Sequence, residues 1–120
     1  MITPERVRAI ACELLITAST TFRPDQVAAY RAAVAASQGP GRWVLEQLLA
    51  NAEVAERERR PLCDDTGVPH LFLEVGSRAG LTSAHLAAMV QGVQDGLRML
   101  PGREMGVRGG PQERVGSRQG

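Results

Sequence analysis

Cys63, Asp64, Asp65, Thr66 and Gly67 follow one another directly and combine a thiol, two carboxylates and a hydroxyl in a segment that ends in glycine. Negative charge beside a thiol disfavours the thiolate, so this arrangement does not suit a cysteine nucleophile. A metal cation would stabilise the thiolate, and the carboxylates would offset the charge of the cation. The segment therefore predicts a metal-binding turn with Cys63 as a ligand.

This segment resembles the Cys-Gln-Asp-Thr-Gly motif in the N-terminal part of the alpha-type, iron-sulfur-dependent class I fumarases and L-tartrate dehydratases. The charged run from Glu53 to Arg60 before it and the apolar run that ends at Glu74-Val75-Gly76 after it are also similar to that family. The resemblance extends from the N-terminus to about Leu100.

The resemblance implies a hydro-lyase that reversibly hydrates a small dicarboxylic acid on a 4Fe-4S cluster, whose open iron binds the substrate. Cys63 matches the first of the family's three cysteine ligands. Cys12 matches none of them, so we expect a beta-type subunit or other copies of the chain to supply the rest. Substrate contacts are implied at Asp64, Asp65 and Thr66. Asp65 matches the motif directly, whereas Asp64 replaces the motif's glutamine by a carboxylate.

Two other interpretations stay open. In the first, the chain is a non-catalytic helical binding or assembly module derived from that family, which docks onto a partner through an exposed strand edge and amphipathic helices. In the second, Cys63, Asp64, Asp65 and His70 bind a single metal ion, although a soft thiolate and hard carboxylates form an uncommon ligand set.

Composition excludes several classes of function. A formal charge of +1 gives no reason to expect binding to nucleic acid or to a membrane surface. All 14 basic residues are arginine, which excludes a Schiff-base lysine and the lysine of a phosphate-binding loop. Two cysteines at unrelated positions favour a reducing compartment. The absence of an apolar run of about 18 residues favours a soluble protein. We expect the protein to be cytoplasmic.

Periodicity predicts a predominantly helical α+β domain over residues 1–100. The final 20 residues contain six glycines and two prolines, and we expect residues 101–120 to form a flexible Gly/Arg-rich tail. A short apolar run between a proline and a glycine predicts one strand, Leu71–Val75. Four helices are predicted: Pro4 to Ala18, Pro24 to Ser37, Trp43 to a stop at Pro61, and one that follows a cap at Thr82 and ends near Leu100.

Overall fold

The computed structural model describes residues 1–63 and 68–100, and the backbone of 107–108 and 115–116. The chain divides into two compact units, one formed by Met1–Ile16 with Cys63–Gly120 and the other by Thr17–Leu62. The predicted helical character is confirmed. The helices are α1 (Pro4–Thr20), α2 (Pro24–Ala36), α3 (Gly39–Glu58) and α4 (Ser83–Met99), and the two-residue strands β1 (Val107–Arg108) and β2 (Val115–Gly116) pair antiparallel.

In the first unit, α1 and α4 lie parallel and very close together. The contacts advance in the same direction along both helices, from Arg8 against Gly92 to Cys12 against Gly96. A Cβ atom on Gly92 would collide with the carbonyl oxygen of Arg8, and a Cβ on Gly96 would lie 3.1 Å from the carbonyl oxygen of Cys12. Glycine at these positions therefore permits the close approach of the two backbones.

A bidentate ion pair fixes the register of α1 against α4. The Arg8 guanidinium donates from Nε to Asp95 Oδ2 at 2.6 Å and from Nη2 to Asp95 Oδ1 at 3.1 Å. Arg98 lies 3.4 Å from the same carboxylate. The hydrogen bonds and positive charge of Arg8, with the charge of Arg98, lower the pKa of Asp95 below its ordinary value.

His85 joins the N-terminal segment to the first turn of α4. Its side chain is buried, and its Nε2–H donates to the carbonyl oxygen of Ile2 at 2.9 Å. Nδ1 accepts a hydrogen bond from the backbone N–H of Thr82 at 3.2 Å. The neutral imidazole thus satisfies one group from each of two chain segments.

The predicted strand Leu71–Val75 is wrong. These residues have no strand pairing, and Phe72 is 99% exposed while Leu71, Leu73 and Val75 are each about half exposed. An apolar run becomes a strand only when a neighbouring backbone takes up its N–H and C=O groups, and this run lacks such a neighbour among the described residues.

In the second unit, α2 and α3 pack on each other through a two-residue connection, Ser37-Gln38. The helix α3 starts at Gly39, earlier than predicted. Pro40 lies in its first turn, where the N–H that proline lacks would have no partner within the helix. Gly39 adopts a φ of +61°. Ala52 and Ala55 are buried on α3.

The prediction of one domain over residues 1–100 stays a prediction. The predicted flexible tail, 101–120, lies outside the described residues apart from the paired backbone of β1 and β2.

We expect Gly92→Ala to lower the free energy of unfolding by about 2 kcal/mol, because the new Cβ meets backbone that cannot rotate away. Gly41→Ala is the matched control, since a Cβ on Gly41 of α3 meets nothing within 4 Å. That substitution should raise stability by up to about 1 kcal/mol through helix propensity. Urea unfolding followed by circular dichroism measures both, and equal shifts would contradict the close approach.

The ion pair predicts an acid-sensitive contribution to stability. Because Arg8 lowers the pKa of Asp95 in the folded state, the contribution is complete above the unfolded carboxyl value of about 4 and is lost as the pH falls through the lower folded value. We expect Asp95→Asn to reduce stability at pH 7 and to flatten the dependence of stability on pH below about 4. Unfolding midpoints measured between pH 2 and pH 7 that fall in parallel for both proteins would contradict this assignment.

Candidate functional site

The predicted metal-binding residue Cys63 is exposed. It lies five residues after the last residue of α3, directly after Pro61-Leu62. Asp64, Asp65 and Thr66 lie outside the described residues, so their roles remain predictions. The described geometry therefore concerns the segment that leads into Cys63.

The chain reverses direction at the end of α3. Arg59 adopts the left-handed conformation, with φ 51° and ψ 48°, which is uncommon for a residue with a side chain. The Arg60 N–H then donates to the carbonyl oxygen of Ala55 at 2.9 Å, and the Arg59 N–H donates to that of Glu56 at 3.4 Å. These bonds satisfy carbonyl groups that the helix end would otherwise leave unpaired.

Leu62, the residue before Cys63, is held through both of its backbone polar groups. Its N–H donates to the carbonyl oxygen of Ser19 at 2.9 Å, at the C-terminal end of α1, where carbonyls have no partner within the helix. Its carbonyl oxygen accepts a hydrogen bond from Asn51 Nδ2 on α3 at 2.8 Å. Pro61 has no N–H, so every backbone N–H from Arg59 to Leu62 is hydrogen-bonded.

Arginine side chains surround the helix end. Arg57 and Arg60 each lie 3.3 Å from a carboxylate oxygen of Glu58. These pairs are exposed to solvent, so they contribute little to stability. With Arg59 they give three arginines in the charged run from Glu53 to Arg60, which also holds three glutamates and is formally neutral.

Comparison with known proteins decides the family. The family model described as Fumarate hydratase (Fumerase) matches residues 8–119, nearly the whole chain. The chain belongs to the fumarate hydratase (Fumerase) family. The resemblance inferred from the cysteine segment is thus confirmed, and the match includes that segment.

A curated relative agrees with the family. A putative L(+)-tartrate dehydratase subunit alpha from Methanocaldococcus jannaschii is 32% identical over 54 residues, which are 45% of this chain and 18% of the relative. The chain therefore matches less than a fifth of the length of that protein. No solved structure shows a significant match.

The described residues of this Fumerase-family chain do not by themselves form a metal site. No group of three or more His, Cys, Asp or Glu side chains comes together among residues 1–63 and 68–100. His70 is exposed, and the Cys12 Sγ lies on α1, 3.9 Å from the Sδ of Met99 on α4. These 120 residues contain two cysteines, so a cluster with three cysteine ligands would need ligands from outside this sequence.

Sequence patterns did not predict a groove of about 700 Å³ in the first unit of this family member. The lining is mainly apolar, and among the described lining residues Glu74 and Arg78 carry charge. A dicarboxylate prefers several cationic or hydrogen-bonding groups, so the groove suits an apolar ligand or chain segment better than it suits the family's substrates. The run Leu71–Val75, predicted as a strand, forms part of the lining.

No helix in the described part of the chain combines the length and apolar character needed to span a membrane.

The left-handed Arg59 predicts a measurable strain. We expect Arg59→Gly to be more stable than Arg59→Ala by about 1 kcal/mol, because glycine adopts this conformation without a clash of Cβ. The alanine variant is the control, since both substitutions remove the same side-chain contacts. Thermal unfolding of the two variants measures the difference, and equal stabilities would show that Arg59 is not left-handed in solution.

Proposed function

We propose that this chain provides one cluster ligand and part of the substrate site of an iron-sulfur-dependent hydro-lyase of the fumarate hydratase or tartrate dehydratase type. Its reaction is the reversible hydration of a small dicarboxylic acid. Membership of the Fumerase family supports this proposal. The structural observation that carries it is an exposed cysteine whose preceding residue, Leu62, is anchored at both its N–H and its C=O.

Cys63 is the iron ligand in this proposal. When bound, a 4Fe-4S cluster supplies an open iron that acts as a Lewis acid. The remaining ligands come from outside these 120 residues, from a beta-type subunit or from further copies of the alpha-type chain. The name of the Methanocaldococcus relative, a subunit alpha, supports a multi-subunit assembly.

Asp64, Asp65 and Thr66 are the proposed substrate-binding residues. The Thr66 hydroxyl can donate a hydrogen bond to a substrate carboxylate. A carboxylate at Asp64 or Asp65 accepts hydrogen bonds when ionised, so each suits the hydroxyl group of a hydroxy acid better than its carboxylate. The arginines that precede the turn attract a dianionic substrate toward it. The proposed location is the cytoplasm, where thiols stay reduced and available to iron.

A second candidate function rests on the groove in the first unit. Its apolar lining and the fully exposed Phe72 are features of a surface that binds another protein segment. In that case the chain is a binding or assembly module of the Fumerase family without catalysis of its own. The two functions differ in their need for Cys63, which the next experiment uses.

We expect the purified chain, reconstituted anaerobically with iron and sulfide, to retain iron in a manner that depends on Cys63, because this exposed thiol is the proposed ligand. Cys63→Ser should lose the retained iron and the visible absorption of the cluster. Cys12→Ser is the matched control and should retain both, because Cys12 faces Met99 between two helices. Iron and sulfide are counted per chain after gel filtration.

The outcome separates the two candidate functions. A cluster that approaches four irons per assembly, with the chains associated, supports the hydro-lyase. Iron retained equally by Cys63→Ser would remove Cys63 from the proposal. A folded chain that retains no iron, alone or with a beta-type subunit, would leave the binding module as the better account.

A further inference from the structure

We propose that Asn51 is a positioning residue that holds the peptide leading into Cys63. Its relevance to iron rests on the function proposed above, whereas its effect on the turn does not. The inference starts from a side-chain hydrogen bond to the segment between α3 and Cys63, from Asn51 Nδ2 to the carbonyl oxygen of Leu62 at 2.8 Å.

The position of Asn51 on α3 makes this bond available. Asn51 is eleven residues before Leu62, and the bond forms because the chain turns back at Arg59 and runs beside the helix it has just left. The bond from the Arg60 N–H to the carbonyl oxygen of Ala55 closes this turn. The side chain of Asn51 then reaches Leu62, the last residue of the returning segment before Cys63.

An amide suits this position for a chemical reason. The Leu62 N–H already donates to Ser19, so the other backbone polar group of Leu62 is its carbonyl oxygen, which accepts from a donor such as the Asn51 amide. An aspartate of the same shape has no donor when ionised, and an alanine has no polar group at all. The carboxamide of Asn51 supplies the donor without adding charge next to a proposed anionic cluster.

The consequence for Cys63 follows from chain geometry. The carbonyl of Leu62 belongs to the same planar peptide group as the nitrogen of Cys63, so the Asn51 bond also fixes the plane from which the cysteine backbone starts. The direction of the Cys63 side chain is then set by few remaining torsions. An exposed ligand with a fixed starting plane loses less conformational entropy when it binds metal.

The experiment compares Asn51→Ala with Gln47→Ala, which removes an exposed amide one turn earlier on α3. The carbonyl-carbon chemical shift of Leu62, measured by NMR, reports whether its oxygen accepts a hydrogen bond, whereas exchange of the Leu62 N–H reports the separate bond to Ser19. We expect the Leu62 carbonyl resonance to move upfield in Asn51→Ala, because the bond from Asn51 is lost, and to stay in place in Gln47→Ala. Hydrogen exchange of the Ala11 amide in the core of α1 should keep its rate in both variants, which excludes global unfolding.

Iron retention provides the second readout. After anaerobic reconstitution, we expect Asn51→Ala to lose iron about tenfold faster than the unsubstituted chain, as for other residues that orient a metal ligand, while Gln47→Ala matches the unsubstituted chain. An unchanged Leu62 carbonyl shift in Asn51→Ala would overturn the inference. A changed shift with unchanged iron loss would overturn the positioning of the ligand.

The two proposals can fail separately. If the unsubstituted chain retains no iron through Cys63, the proposed function fails, and the carbonyl shift of Leu62 still decides whether Asn51 holds this peptide. If the chain retains iron and the Leu62 carbonyl shift does not respond to Asn51→Ala, the proposed function stands and the role of Asn51 is wrong.

Discussion

The close contact of α1 with α4 is the constraint on which the first unit depends. At Gly92 the backbones approach until a side-chain carbon would strike the Arg8 carbonyl, so the contact requires glycine. The helices are parallel, and therefore α4 must begin beside the start of α1. In the described segment before α4, residues 68–82 contain a turn and neither a helix nor a strand.

Packing through small residues gives a core that buries little apolar side-chain surface. Most of the buried apolar side chains in the described residues are alanine, as at Ala11, Ala52 and Ala88, and the larger ones are Val7, Ile16 and Leu100. Burial of a methyl group contributes far less than burial of a leucine. Larger apolar side chains such as Leu14, Trp43 and Phe72 remain more than half exposed. A chain with this distribution gains stability when another surface covers its apolar residues, consistent with a part of a larger assembly.

Local patterns predicted the helices well and the connections poorly. Apolar spacing and the caps Thr3 and Thr82 are properties of contiguous residues, so the start of α1 and of α4 could be found in the sequence. The strand Leu71–Val75 failed because pairing depends on a distant backbone. The buried bond of His85 to Ile2 spans most of the chain and leaves no local signature.

The candidate site likewise has one part that the sequence predicted and one part that it did not. The cysteine segment carries its signature in consecutive residues, so sequence alone identified the family. The anchoring of Leu62 could not be predicted, because it depends on a left-handed arginine at a position where glycine is the usual choice. Once that turn forms, the geometry of α3 brings the Asn51 side chain to the Leu62 carbonyl, and the end of α1 offers the carbonyl of Ser19.

Backbone anchoring matters most beside an exposed side chain such as that of Cys63. A buried side chain is oriented by the atoms packed around it, and an exposed one has fewer such neighbours. The two hydrogen bonds to the Leu62 backbone and the fixed φ of Pro61 restrict the residues just before Cys63. Their partners are the helix-end carbonyl of Ser19 and the neutral side-chain amide of Asn51. The backbone up to Leu62 is therefore held in place while Cys63 stays exposed.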